Sequence, residues 1–86
     1  MIISAQRVAN HENLDPSKIC YWKVSDGSFL IQWPNGLLGN LRGHNVQEHE
    51  DGTITVSPSI LTSGCDEAGN PISVHGFLEL GIWRDC

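Results

Sequence analysis

The chain has 86 residues, 40% apolar and 17% charged, a composition that folds as one small domain over residues 1–86 and excludes a disordered segment or a two-domain protein. Ten acidic side chains against five basic ones give a net charge of −5. The bases, Arg7, Lys18, Lys23, Arg42 and Arg84, are scattered, so no row of phosphates can be neutralised and no direct nucleic-acid binding is expected.

No apolar stretch approaches the roughly 18 residues that span a bilayer. The opening MIISAQRVANHENLD lacks a basic segment followed by a long apolar run, so neither a membrane span nor a secretion signal is expected. Three cysteines, none in a C-x-x-C, fit free thiols in a reducing cytoplasm. A domain this short buries only about 60–65% of its unfolded surface, and a homo-oligomer would relieve that thin margin.

In chain order, Ile2 to Val8 reads as a first strand. Asp15-Pro16-Ser17 starts a helical turn or bends the chain. Ile19 to Ser25 and Ser28 to Trp33 flank Asp26-Gly27, which predicts a hairpin closed by a two-residue turn. Leu37 to Arg42 fits strand, loop or short helix. Asn45 to Glu50 and Thr53 to Ser57 flank Asp51-Gly52, a second hairpin signal of the same kind. A two-residue turn there pairs Glu50 with Thr53, His49 with Ile54, Glu48 with Thr55 and Gln47 with Val56. Pro58 cannot donate to a ladder, so a bulge, an edge or a strand end is expected.

Ile72 to Leu80 alternates, with Ile72, Val74, Leu78 and Leu80 on one face and Ser73, His75, Phe77 and Glu79 on the other. A turn at Leu80-Gly81 sets Leu78 opposite Trp83, Phe77 opposite Arg84 and His75 opposite Cys86. The sum is an all-β domain: a small antiparallel, hairpin-rich sandwich or open barrel of six or seven strands, with at most one short helix.

Four constellations carry candidate chemistry. Cys20, Cys65, His75 and Cys86 are a candidate zinc set by residue type, but none lies in the tight knuckle that structural zinc sites draw their ligands from. Ser57, Ser59 and Ser63, with His49 and His75, supply hydroxyls and bases for a hydrolase, without a G-x-S-x-G elbow. His44, Glu48, His49, Glu50 and Asp51 form an acidic hairpin tip; alternation splits the two histidines between faces. The fourth is a lip of Ser57, Pro58 and Ser59 near His75, Phe77, Trp83 and Arg84. Hydroxyls and backbone N–H groups at an interrupted strand, a stacking face on Trp83 and the Arg84 cation together suit a polar or anionic ligand.

The order T-x-T-V-S-P-S-I, then H-G-F-L, then G-x-W over roughly the C-terminal 35 residues resembles a family of small phage and prophage proteins of unknown function, some of which carry a mistaken ammonia monooxygenase label. The matching residues are Thr55, Val56, Ser57, Pro58, Ser59, Ile60, His75, Phe77, Gly81 and Trp83. Many such proteins open with a Cys-rich knuckle that looks zinc-binding. This chain departs there, holding only Cys20 in its N-terminal half. The resemblance implies a compact β fold and a phage-borne setting, and no activity.

The expected function is therefore a non-enzymatic binding module without cofactor. By analogy with small phage proteins, it would be an anti-defence inhibitor or ligand sponge in the host cytoplasm. One mechanism sets the acidic Glu48, Glu50 and Asp51 against a basic host protein. The other holds a small polar ligand at Ser57, Ser59, His75, Trp83 and Arg84. The alternatives are a reduced zinc-ribbon-like domain and, third, a small hydrolase.

Overall fold

The computed structural model describes residues 2–86. Nine strands are present among them: β1 (Ile2–Ser4), β2 (Gln6–Arg7), β3 (Cys20–Lys23), β4 (Phe29–Gln32), β5 (Leu38–Asn40), β6 (Asn45–Glu48), β7 (Ile54–Cys65), β8 (Pro71–Glu79) and β9 (Ile82–Asp85). The single helical element among the described residues is a three-residue 3-10 turn at His11–Asn13, capped by the Asn10 side chain, which accepts from Glu12 N–H. Asp15-Pro16-Ser17 bends the chain instead, closed by Lys18 N–H to Asp15 C=O. No helix among the described residues is long and apolar enough to cross a membrane.

The strands form two sheets, in the orders β1-β9-β8-β7-β6 and β2-β3-β4-β5, packed as a sandwich. The run from Ile2 to Val8 splits between them. Ala5 N–H binds Gly81 C=O of the five-stranded sheet, and Gln6 N–H binds Ile19 C=O of the four-stranded one. Between the sheets, Tyr21, Phe29 and Ile31 meet Ile54, Val56, Ile60, Leu78 and Trp83, all buried. Trp33 and Trp83 meet edge to face at 5.5 Å, a geometry that aromatic quadrupoles favour. At one edge Arg7 reaches from β2 to the Glu48 carboxylate of β6 and to Gly52 C=O, each at 2.9 Å, and clasps the two sheets.

Asp26-Gly27 and Asp51-Gly52 close antiparallel hairpins, but not as two-residue turns. The loops are residues 25–27 and 50–52: Gly27 N–H binds Val24 C=O, and Gly52 N–H binds His49 C=O. Only the glycines take positive φ, 89° each. Each Asp instead spends its carboxylate on the residue after the glycine: Asp26 accepts from Ser28 N–H and hydroxyl, Asp51 from Thr53 N–H and hydroxyl. The longer loop shifts the second hairpin by one residue, so Glu48 opposes Ile54, Gln47 opposes Thr55 and Val46 opposes Val56. Strand faces alternate with period two, so this register puts Val46 with Val56 toward the core.

Leu80-Gly81 is a true two-residue turn, both residues at positive φ, and it sets Leu78 opposite Trp83 and Phe77 opposite Arg84. Cys86 N–H then binds His75 C=O at 2.9 Å. Pro58, after a cis Ser57-Pro58 bond, sits in a bulge. Val56 opposes Leu78 and Ile60 opposes Gly76, so Ser57, Pro58 and Ser59 together face Phe77.

Candidate outer-face binding site

The bulge decides which side chains meet. Past it, Ile60 returns to the core, so Ser59 and Leu61 turn outward, on the same face as His75 and Phe77 of β8. Ser59 Oγ lies 2.9 Å from His75 Nε2. Beside them the Arg84 guanidinium stacks over the Phe77 ring, 5.4 Å from its centroid, and reaches Glu79 at 3.4 Å. Ile2 opposes Arg84 on β1. Ile2, Leu80, Ile82, Phe77, Arg84 and Glu79 line a shallow cavity of about 200 Å³.

Of the residues expected in the serine lip, Ser59, His75 and Arg84 thus share one face around Phe77. Ser57 is exposed at the start of the bulge, where it opposes Asn45 of β6. Trp83 is not part of that face. It points into the core at 1% exposure, its ring N–H bonded to Asp85, and offers no stacking surface; alternation along β9 sends Trp83 inward and Arg84 outward. Phe77 takes the aromatic role instead.

On the inner side of the bulge, His44 Nε2 donates to Ser59 C=O at 3.1 Å, since a carbonyl can only accept. Nδ1 of the same ring is buried and without a hydrogen-bond partner among the described residues.

The acidic tip is arranged differently from the expectation. Glu48 lies between Arg7 and Lys23, at 2.9 and 3.0 Å. Hydrogen bonds from Arg7 first, then Lys23, hold its carboxyl below the usual glutamate range. Asp51 is held low by the Thr53 hydroxyl and N–H. Glu48 and Asp51 thus spend their carboxylates on contacts within the fold, and Glu50 lies exposed beside them. His49 Nε2 meets Thr55 Oγ1 at 2.7 Å rather than a serine, and Ser63 opposes Ser73.

The candidate zinc ligands are dispersed. Cys20 is fully buried on the four-stranded sheet, whereas Cys65 and Cys86 are exposed on the five-stranded one. Cys65 opposes Pro71, a strand length from His75. Among the described residues, no three His, Cys, Asp or Glu side chains gather as a metal ion requires.

The residues that sequence reasoning missed are apolar: Ile2, Leu61, Leu80 and Ile82, exposed by 71, 63, 61 and 39%. Their signal was available in part, because a turn at Leu80-Gly81 with Trp83 inward leaves Ile82 outward. Compared with family models, with curated proteins and with solved structures, the chain matches none of them.

Proposed function

We propose that this chain is a non-enzymatic binding module that docks a protein partner on the outer face of its five-stranded sheet. The carrying observation is that Ile2, Leu61, Leu80 and Ile82, every exposed large aliphatic side chain but Leu38 among the described residues, belong to that face or to the turn at its end. Exposed apolar groups gathered in one place mark interaction surfaces, whereas scattered ones need no explanation. Ser59 and His75 lie on this open face rather than in a water-excluding cleft, which suits recognition better than turnover. The setting we propose, a phage-borne protein that binds a host factor in the bacterial cytoplasm as an anti-defence inhibitor, is supported by the resemblance of the C-terminal blocks alone.

The test is retention of host protein by the immobilised chain. Saturable retention that is lost with Ile82→Glu and kept with Leu38→Glu, on the opposite sheet, supports the reading. Retention insensitive to Ile82→Glu, or retention of neither host protein nor a second copy of the chain, contradicts it.

A second reading is favoured by the shared face of Ser59, His75 and Arg84, with Ser59 bonded to His75 and Arg84 stacked on Phe77: a small polar ligand that spans hydroxyl, imidazole and guanidinium across Phe77. It requires binding that His75→Ala abolishes and Ile82→Glu leaves intact, the reverse sensitivity.

A further inference from the structure

The two sheets treat their outer faces differently. On the four-stranded sheet, Cys20 and Trp22 of β3 point outward, yet both are buried, because the chain folds its own segment over them and packs Leu14 against them and Val8. No described segment crosses the outer face of the five-stranded sheet, although it carries larger aliphatic groups than a solvated face needs.

Charge narrows what can cover it. The chain as a whole carries −5. Strand alternation puts only Glu79 and Arg84, one of each sign, among the charged side chains that β1, β9, β8, β7 and β6 turn outward. A basic partner finds no excess of acid there. A second copy finds no net repulsion there, and a surface whose one cation and one anion are each more than half exposed.

Extent also fits. Five strands of 3, 4, 9, 12 and 4 residues, rising about 3.4 Å per residue and lying about 4.8 Å apart, give a face of roughly 500 Å². That supplies most of the about 800 Å² that each partner gives to a standard interface.

We infer that two copies pack these outer faces together about a two-fold axis, with Phe77, Ile82 and Ile2 at the centre and Arg84 of each copy against Glu79 of the other. A two-fold contact is self-complementary, so the single Arg–Glu pair of each face is used twice. The inference rests on the proposed function for the choice of face and names its occupant.

The experiment is sedimentation velocity on the intact chain across the micromolar range, with Arg84→Glu, Glu79→Arg and an equimolar mixture of the two. Wild type forms a dimer. Each variant alone sets like charges face to face and self-associates about tenfold more weakly or less. In the mixture, Arg84→Glu chains pair with Glu79→Arg chains, every cross-contact is again opposite in sign, and the dimer returns. Charge repair confined to one chain cannot produce that rescue. Both side chains are exposed, so circular dichroism should show all forms folded. A wild type that stays monomeric, or a dimer indifferent to both variants, overturns the inference. If the chain is monomeric but Ile82-dependent retention of host protein persists, the binding face stands and its occupant is foreign; if retention also fails, both readings fall.

Discussion

The outer faces of the two sheets began with the same difficulty and reached opposite ends. Each carries apolar side chains on the side away from the core. On the four-stranded sheet, Trp22 is 5% exposed and Cys20 fully enclosed beneath the chain's own crossing. On the five-stranded sheet, Ile2 is 71% exposed and nothing described lies over it. A chain of this size has one spare segment, between β2 and β3, and it can seal only one face. The face left open keeps most of the exposed large aliphatic groups, little charge and a bonded Ser59–His75 pair, which is why we propose binding there.

The comparison can be broken at several depths. The largest effect belongs to the inner side of β9. Trp83→Ala removes the ring that meets Trp33 and should cost about 3–5 kcal/mol, read as a lower urea midpoint. Gly76→Ala comes next: its methyl would lie 2.4 Å from Arg84 C=O and 2.7 Å from the Trp83 ring, so β8 and β9 must part, at about 1–3 kcal/mol.

Leu14→Ala tests the sealed face. It thins the cover over Trp22 and Cys20, and should cost about 1–2 kcal/mol while speeding the reaction of the Cys20 thiol. Ile82→Glu, one residue from Trp83, should move stability by only about 0.5 kcal/mol and yet abolish binding. Equal stability losses at positions 82 and 83 would erase the distinction between the two sides of β9.

The smallest effect is electrostatic. The Glu48 carboxyl is depressed in the folded chain by Arg7 and Lys23, so its contribution is present above the ordinary glutamate value and fades as pH falls through the folded value. Glu48→Gln should therefore flatten part of the acid limb of a stability-against-pH profile and leave binding on the outer face unchanged. A steeper acid limb in the variant would contradict that sign.

Much of the architecture was legible in the residues. Alternation from Ile72 to Leu80 and the Leu80-Gly81 turn placed β8 against β9 in the observed register, because a two-residue turn and a clean period leave no freedom to slip. The Asp-Gly loops were misread by one residue because glycine alone, not both central positions, takes the left-handed conformation. The hydroxyl of Ser28 or Thr53 after each glycine was the available sign, since it lets the Asp carboxylate close the three-residue form.

The site was legible only in pieces. Ser59, His75 and Arg84 are legible by type, but the Ser59–His75 contact depends on how many residues the Pro58 bulge absorbs, and no local pattern states that. Trp83 was assigned to the ligand although its alternation with Arg84 already divided the two between faces. The covering of β3 by the segment around Leu14 is a long-range contact that periodicity does not register.

The most direct test compares thiol labelling at the two outer faces in one protein, with Ile82→Cys introduced beside the native Cys20. Cys20 should stay protected in the folded chain at every concentration, sealed by its own segment. The thiol at position 82 should react freely in dilute protein and become protected as the concentration rises or a retained partner is added. Labelling at position 82 that never changes, or a Cys20 that reacts as fast as the exposed Cys65, would contradict the account.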